Sequence, residues 1–166
     1  WTVRERGAWR GPAAAVDRRH RAESYHAGPT GIPARAPRRA AVTHPVGVID
    51  ATTQRLLEIT ERSLDAGIAA ATVDNHVGDI GAAIQGVVEP AGFAIVRELV
   101  GHGVGFAPHE EIQIPNYGKP KRGKKLVAGL TIAIEPMVNV GTAKTRTLAD
   151  KWTVVTIDGK RSAHFE

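Results

Sequence analysis

The residues best suited to chemistry lie in a glycine-rich stretch in the second half of the chain. Glycines flank His102 in Gly101-His-Gly-Val-Gly105. Because glycine has no side chain, it lets other groups approach the imidazole and permits backbone angles closed to other residues. His109 follows seven residues later and is itself followed by Glu110 and Glu111. Two imidazoles and two acids near one glycine-rich turn are typical of a ligand-binding site.

Two later carboxylates stand in unusual positions. Glu135 interrupts the apolar run 130–137, and Glu166 closes the strand-like segment 162–166. An ionised acid in apolar surroundings costs several kcal/mol unless a cation or a proton compensates it, so Glu135 is a metal ligand, a neutral acid or an ion-pair partner. Neutral imidazole and carboxylate oxygen together form a ligand set suited to zinc, manganese, iron or cobalt.

The length of 166 residues is that of one domain with a packed core. The net charge of +5 suggests an anionic partner, but it is unevenly distributed. Residues 1–45 contain nine arginines and three acids, net +6, whereas the remainder contains 13 basic and 14 acidic residues, net −1. The basic character belongs to the N-terminal segment and gives weak support for nucleic-acid binding by the rest.

The absence of cysteine excludes a disulfide framework and a thiolate zinc site, which fits a reducing compartment and favours a cytoplasmic location. No apolar run approaches the ~18 residues of a membrane-spanning helix. The arginine-interrupted N-terminal region also lacks the apolar centre of a secretory signal. We therefore expect no membrane partner.

Two segments of different composition divide the chain. Arg, Ala, Pro and Gly supply 28 of the first 45 residues, with no helical or strand period. Such a sequence cannot bury enough apolar surface to offset its ordering entropy, so we expect residues 1–45 to be disordered. The alternative is a non-native segment read out of frame from a GC-rich gene. Residues 46–166 form the second segment, an incomplete domain.

The apolar periodicity after residue 45 predicts helices followed by strands. Asp50 is placed to cap a helix that ends near Ala71, with Leu57, Leu64 and Ile68 on its buried face. A second helix ends at Gly92. Strands are expected at 93–100, 131–140, 152–157 and 162–166, and the Asp158-Gly159 pair predicts a hairpin between the last two. This order favours an α+β fold.

From Val48 to Glu166 the chain resembles the type I methionine aminopeptidases of the pita-bread metallopeptidase fold. The spacings of 7, 26 and 31 residues between His102, His109, Glu135 and Glu166 fit this family. Five segments carry the resemblance: Val77-Gly-Asp-Ile-Gly-Ala-Ala-Ile-Gln85, Gly101-His-Gly-Val-Gly105, His109-Glu-Glu111, Ile134-Glu-Pro-Met-Val-Asn139, and Asp150-Lys-Trp-Thr-Val154 through Ser162-Ala-His-Phe-Glu166.

The resemblance implies a role for each matching residue in metal-dependent removal of N-terminal methionine from nascent polypeptides. His102 and Glu135 would ligate one of two divalent ions (Co, Mn, Fe or Zn), and Glu166 would bridge the two. His109 would donate to the scissile carbonyl oxygen, Glu135 would also shuttle a proton, and Trp152 would line the methionine pocket.

The family takes two further ligands, both aspartates, from strands that precede the matching segment. The acids before Asp50 are Glu5, Asp17 and Glu23, and none stands in a strand-like apolar context. We therefore expect three of the family's five ligands, incompletely bound metals and impaired activity. The alternative is a non-catalytic pita-bread binding module associated with the ribosome or RNA. An amidohydrolase of another specificity on the same fold is a second alternative.

Other notable side chains have simpler interpretations. His164 is expected at the surface, Trp152 could equally be a core residue, and Glu110 and Glu111 form a solvated pair with at most an indirect role. The basic residues Lys119, Lys121, Arg122, Lys124 and Lys125 are either a solvated loop or a ribosome contact. The expected partners are nascent peptide N-termini and the ribosome, with no specific nucleic acid, and the chain is expected to be a monomer.

Overall fold

The computed structural model describes residues 15–17 through their backbone, together with residues 40–107 and 109–166. The helices are α1 (Ala51–Ala70) and α2 (Val77–Val88), and a 3-10 turn, Glu89–Ala91, follows α2. The strands are β1 (Ala15–Asp17), β2 (Val42–His44), β3 (Ala94–Ile95), β4 (Gly101–Gly103), β5 (Glu110–Ile114), β6 (Met137–Asn139), β7 (Thr145–Thr147), β8 (Val154–Thr156) and β9 (Ser162–His164).

The two helices pack against each other and supply half of the buried apolar core. Leu56 of α1 and Ile80, Ile84 and Val88 of α2 are almost completely buried. The predicted buried face of α1 was partly wrong, since Ile68 is 55% exposed. The helix presents Leu56 and its neighbours to α2 instead. Its last turn still packs against α2 at Gly67, which lies against Ile84, and Ile68 is on the exposed side of that turn.

Asp50 caps α1 as the sequence predicted. Its Oδ1 accepts a hydrogen bond of 2.8 Å from the Thr53 N–H, and the other carboxylate oxygen contacts the Arg161 guanidinium. The Thr53 backbone bond, followed by the Arg161 hydrogen bond, lowers the pKa of Asp50 from 3.8 to about 2. The capping carboxylate therefore joins the start of α1 to the residue before β9.

Replacing Asp50 by alanine is expected to lower the midpoint of thermal unfolding at neutral pH, because the helix loses its cap. The folded pKa lies below the unfolded one, so this stabilisation is fully present above about pH 4 and is lost as the pH falls through about 2. The melting-temperature difference between wild type and Asp50→Ala should narrow over that interval in calorimetry. Asp65→Ala, at an exposed position of α1, is the control, and a difference independent of pH would contradict the prediction.

A three-stranded antiparallel sheet, ordered β3-β6-β9, lies beside the helices. Val138 of β6 and Ala163 of β9 are paired and completely buried. Two separate antiparallel pairs, β4-β5 and β7-β8, complete the part of the sheet structure that positions the candidate site. Helices followed by antiparallel strands confirm the predicted α+β class.

The predicted hairpin at Asp158-Gly159 is wrong, although the turn itself forms. β8 pairs with β7, whereas β9 pairs with β6 in a different sheet. The Asp158 carboxylate accepts hydrogen bonds from the Thr142 and Lys160 N–H groups, so it links this turn to the one after β6. Strand β7 was not predicted, because it lies in the polar stretch before Asp150. β7 pairs with β8, which the hairpin prediction had paired with β9.

Strand β2 lies inside the segment 1–45 that the sequence assigned to a disordered or non-native region. It pairs with β1, and its Thr43 hydroxyl donates to the His164 carbonyl oxygen at 2.7 Å. The His164 N–H in turn donates to Thr43 Oγ1 at 2.9 Å. Thr43 therefore joins this segment to β9. The remaining residues of the segment, 1–14 and 18–39, lie outside the described residues, so the disorder prediction stays a prediction there.

The basic loop 119–125 is held against the start of α2 by backbone hydrogen bonds. Gly78 N–H donates to the Arg122 carbonyl at 2.9 Å and Val77 N–H to that of Lys124 at 3.0 Å. A side chain at Gly78 would collide with this loop, since its Cβ would lie 2.3 Å from the Lys119 carbonyl oxygen. The loop thus has a defined path with its basic side chains exposed. Within the described residues, no helix is long and apolar enough to cross a membrane.

Candidate metal centre

His102 is positioned by β4 and by the segment that leads into β6. Its backbone carbonyl accepts a 2.8 Å hydrogen bond from the Ala133 N–H, and a bridge between Gly103 and Ile132 continues this contact. The imidazole Nδ1 lies 2.8 Å from the Gly103 carbonyl oxygen, and Nε2 lies 3.3 Å from Glu135 Oε1. The fold therefore brings together an imidazole and a carboxylate that are far apart in sequence.

The glycine before His102 has a specific structural reason. A Cβ on Gly101 would lie 2.2 Å from the Ala133 carbonyl oxygen, far inside van der Waals contact. The missing side chain lets the Glu135 segment run directly against β4. The sequence predicted that the flanking glycines allow access to the imidazole of His102. At Gly101 the structure shows that backbone packing requires the glycine.

Glu135 and Glu166 converge at the ends of neighbouring strands. Glu135 lies two residues before β6, and Glu166 lies two residues after β9, which is the antiparallel partner of β6. The Glu135 carbonyl accepts a 3.0 Å hydrogen bond from the side chain of buried Asn116. Glu166 is held through its backbone, because its N–H donates to the Ala41 carbonyl at 2.8 Å. Both carboxylates therefore start from anchored backbone positions.

The side chain of His164 lies near these two carboxylates. Its predicted position at the surface is wrong. The residue is 3% exposed, and one ligand atom each from Glu135, His164 and Glu166 lie within 4.8 Å of one another. The signal in the sequence was strand alternation, which places residues 164 and 166 on the same face of β9 and its extension. Alternation alone does not show that this face of β9 is buried, which is why His164 was expected at the surface.

His109 lies next to His102, with 4.3 Å between the ring centroids. The turn that carries it is held by Glu110, whose Oε1 accepts a 3.1 Å hydrogen bond from the Ala107 N–H. A Cβ on Gly105 would lie 2.5 Å from the Glu110 carboxylate oxygens, so this glycine makes room for the acid. Glu110 and Glu111 are exposed, as predicted, but Glu110 also shapes the turn beside the candidate site.

Trp152 is not a core residue, since it is 71% exposed. It stands at a turn in which Asp150 Oδ1 accepts hydrogen bonds from the Trp152 and Thr153 N–H groups. The bond from the Thr153 hydroxyl, followed by these backbone bonds, lowers the pKa of Asp150. The indole therefore projects from a well-defined turn. Its predicted role in a methionine pocket stays a prediction.

The donor set formed by these side chains fits a divalent transition metal. Two carboxylates and an imidazole converge within 4.8 Å, and a second imidazole contacts one of those carboxylates. Nitrogen and oxygen donors in this mixture suit zinc, manganese, iron or cobalt. Glu135, at the centre of the arrangement, is partly buried, so its charge calls for a nearby cation or proton. The expected lack of the two aspartate ligands stays a prediction, because the one aspartate before Asp50 is Asp17 of β1, whose side chain is not described.

Comparison with known proteins decides the family. The family model described as "Metallopeptidase family M24" matches residues 39–166. The chain belongs to this metallopeptidase family. The M24 match begins at residue 39, so it also includes strand β2, which the resemblance from Val48 onward had left out.

Individual M24 relatives are methionine aminopeptidases. The chain is 53% identical over 127 residues to "Methionine aminopeptidase" of Clostridium perfringens (strain 13 / Type A), and the match covers 76% of this chain and 51% of the relative. It is 52% identical to "Methionine aminopeptidase 1" of Bacillus subtilis (strain 168), with the same coverage. The crystal structure of methionine aminopeptidase from Thermotoga maritima superposes with a TM-score of 0.74 at 45% identity, over 76% of this chain and 51% of that one.

These similarities confirm the predicted pita-bread fold and the resemblance to methionine aminopeptidases. The chain spans about half the length of the curated relatives that it matches. The matched segment of this chain, residues 39–166, contains His102, His109, Glu135 and Glu166. The chemistry available to this segment depends on the geometry of these four side chains.

Proposed function

We propose that this chain takes part in metal-dependent removal of N-terminal methionine from peptides. The observation that carries the proposal is the convergence of Glu135, His164 and Glu166 within 4.8 Å, with His102 Nε2 3.3 Å from Glu135. These candidate donors come from three separate segments of an M24 metallopeptidase fold. The methionine aminopeptidase relatives at about half identity supply the substrate class.

His102, Glu135 and Glu166 would hold the divalent ions, two in number if the relatives' arrangement is complete. The bound ions would supply Lewis-acid activation of a water molecule and of the substrate carbonyl. The backbone carbonyl of Gly103, 2.8 Å from His102 Nδ1, fixes the tautomer in which Nε2 carries the lone pair. The same tautomer aims that lone pair at the centre of the site.

His109 would act on the substrate, whereas the metal would be held by the other residues. With its ring 4.3 Å from that of His102, it can donate a hydrogen bond to the carbonyl oxygen of the scissile bond as negative charge develops there. Glu135 can accept a proton from the attacking water and pass it to the leaving amine. Stabilisation of the carbonyl oxygen and transfer of the proton are thus assigned to different side chains, so the two roles can be separated by mutation.

Trp152 would contact the methionine side chain of the substrate. An exposed indole on a fixed turn offers a large apolar surface to an unbranched thioether. Trp152→Ala is expected to lower kcat/KM for Met-Ala-Ser about tenfold, mainly through KM, because an apolar pocket contact is worth roughly 1–3 kcal/mol. Trp152→Phe should retain most of the activity. Equal KM values for wild type and Trp152→Ala would exclude this residue from the pocket.

A direct test is release of methionine from Met-Ala-Ser by the full chain with added cobalt or manganese. Met-Ala peptides should be cleaved and Xaa-Pro peptides should not, which separates this specificity from other amidohydrolases of the fold. Stoichiometric binding of Co²⁺ without release of methionine would show a metal site without aminopeptidase activity. Failure to bind any divalent transition metal would contradict the proposal as a whole.

The exposed basic loop favours a second candidate, a non-catalytic module that binds RNA or the ribosome. Lys119, Lys121, Arg122 and Lys124 all project from a segment tied to α2, and Lys125 pairs with Asp74 at 2.7 Å. A cluster of exposed basic side chains makes binding to nucleic acid strongly dependent on salt concentration. Salt-sensitive binding to ribosomal RNA that is lost in a Lys119→Gln/Lys121→Gln/Lys124→Gln variant, without methionine release, would favour this alternative. The loop could also serve an active enzyme by bringing it to nascent chains.

A further inference from the structure

Asn116 is a completely buried polar side chain beside the candidate metal centre. It follows β5 by two residues and is 0% exposed. Its Nδ2 donates a 3.0 Å hydrogen bond to the backbone carbonyl oxygen of Glu135. This partner fixes the orientation of the amide, because a carbonyl oxygen only accepts. The bond to Glu135 is the observed reason for a polar residue at a position that otherwise faces the core.

The carbonyl that Asn116 binds lies just outside the paired strands. Pro136 follows Glu135 and has no N–H, so it cannot donate to a neighbouring strand. The pairing of β6 with β9 begins at Met137, and the Ala133 N–H is bonded to β4 on the other side. Glu135 therefore stands between two anchored points of the backbone. Asn116 holds the peptide group between these two points.

The backbone of Asn116 is itself firmly placed, because it continues the strand that pairs with β4, which contains His102. The residues after β5 lie directly on α2, since a Cβ on Gly81 would lie 2.3 Å from the Tyr117 carbonyl oxygen. The β4-β5 pair thus carries His102 on one strand. On the other strand it leads to the amide that holds Glu135.

We propose that Asn116 is a positioning residue for Glu135 and aims its carboxylate at the candidate metal centre. The distance of 3.3 Å between His102 Nε2 and Glu135 Oε1 requires that the two backbones keep a fixed separation. Metal binding and proton transfer both need the carboxylate in a fixed direction, so a looser peptide group weakens both. Asn116 acts through this hydrogen bond. The inference rests on the proposed metal-dependent function and deepens it.

The test is Asn116→Leu in the full chain, because leucine has a similar size and no donor. In the metal-free protein, proton NMR reports the nuclear Overhauser contact between the His102 ring and the Glu135 side chain. This contact should be present in wild type and weakened or lost in the variant. In calorimetric titration, the Co²⁺ affinity of the variant should fall about 10- to 100-fold, the usual loss when a residue that orients a ligand is removed.

Asn139→Leu is the matched control. Asn139 is also 0% exposed, and its Nδ2 donates to the Thr142 carbonyl oxygen at 2.8 Å, in the turn after β6. The control makes the same change in an equally buried amide that does not bind Glu135. It should keep the wild-type NMR contact and Co²⁺ affinity. If circular dichroism shows that Asn116→Leu does not fold, Asn116→Ser replaces it, because serine is smaller and also cannot reach the carbonyl.

Two outcomes would overturn the positioning role. A folded Asn116 variant with the wild-type NMR contact and Co²⁺ affinity would show that the amide only fills space. Equal losses in the Asn116 and Asn139 variants would show a general loosening of the core. The proposed function would survive either result, since wild type would still bind the metal. A wild-type chain that binds no Co²⁺ would overturn the proposed function, and the metal-free NMR contact would still decide whether Asn116 positions Glu135.

Discussion

Replacing Glu135 by glutamine is expected to abolish metal binding by the full chain and to reduce methionine release to the background rate. Glu135 contacts His102 at 3.3 Å on one side and converges with His164 and Glu166 on the other. An amide keeps the size of the side chain but removes the charge that the cation needs. Loss of several kcal/mol of transition-state stabilisation corresponds to a fall in kcat/KM of about a thousandfold or more.

The measurement combines Co²⁺ titration by calorimetry with release of methionine from Met-Ala-Ser. Glu111→Gln is the control, because it makes the same change at an exposed acid on β5. It should bind Co²⁺ and release methionine as wild type does. A Glu135→Gln variant with wild-type Co²⁺ affinity would show that the carboxylate at the centre of the cluster does not ligate the metal.

Replacing His109 by asparagine is expected to lower kcat about 10²- to 10³-fold while Co²⁺ affinity stays unchanged. A hydrogen-bond donor aimed at a developing oxyanion contributes this much when it acts only in the transition state. The ring of His109 lies beside that of His102, on the approach to the donor cluster. Steady-state kinetics should therefore show the loss in kcat with little change in KM.

Two comparisons make this result specific to His109. His44→Asn, at an exposed histidine on β2, should have wild-type kcat. Glu110→Gln weakens the bond that holds the turn before His109, so it should give a smaller loss of kcat in the same direction. Loss of Co²⁺ affinity in His109→Asn would instead assign this residue to the metal and would remove the case for a separate donor to the substrate.

The two predictions separate binding from chemistry. Glu135→Gln removes the metal and with it every later step, whereas His109→Asn leaves a loaded centre that turns over slowly. A non-catalytic binding module would show neither effect on methionine release. The pair of variants therefore tests the enzyme proposal against the module proposal in the same assay.

Local sequence determined the helices and much of the site. The cap at Asp50 and the left-handed stop at Gly92, with φ of 83°, follow from side-chain and backbone chemistry within a few residues. The glycines around His102 and the position of Glu135 inside an apolar run indicated two candidate site residues without any long-range information. These signals are readable because they depend on neighbours along the chain.

Strand partners and the environment of His164 were decided by the tertiary structure. The Asp158-Gly159 turn is local, but β9 pairs with β6 because that pairing buries Val138 and Ala163 in the core. The same pairing carries His164 inward, beside Glu135 and Glu166. Sequence alternation shows which residues of a strand share a face, but not which face the core covers. The sequence alone thus predicted His102, Glu135 and Glu166 as candidate donors, and only the packing of β9 against β6 and β2 brought His164 near Glu135 and Glu166.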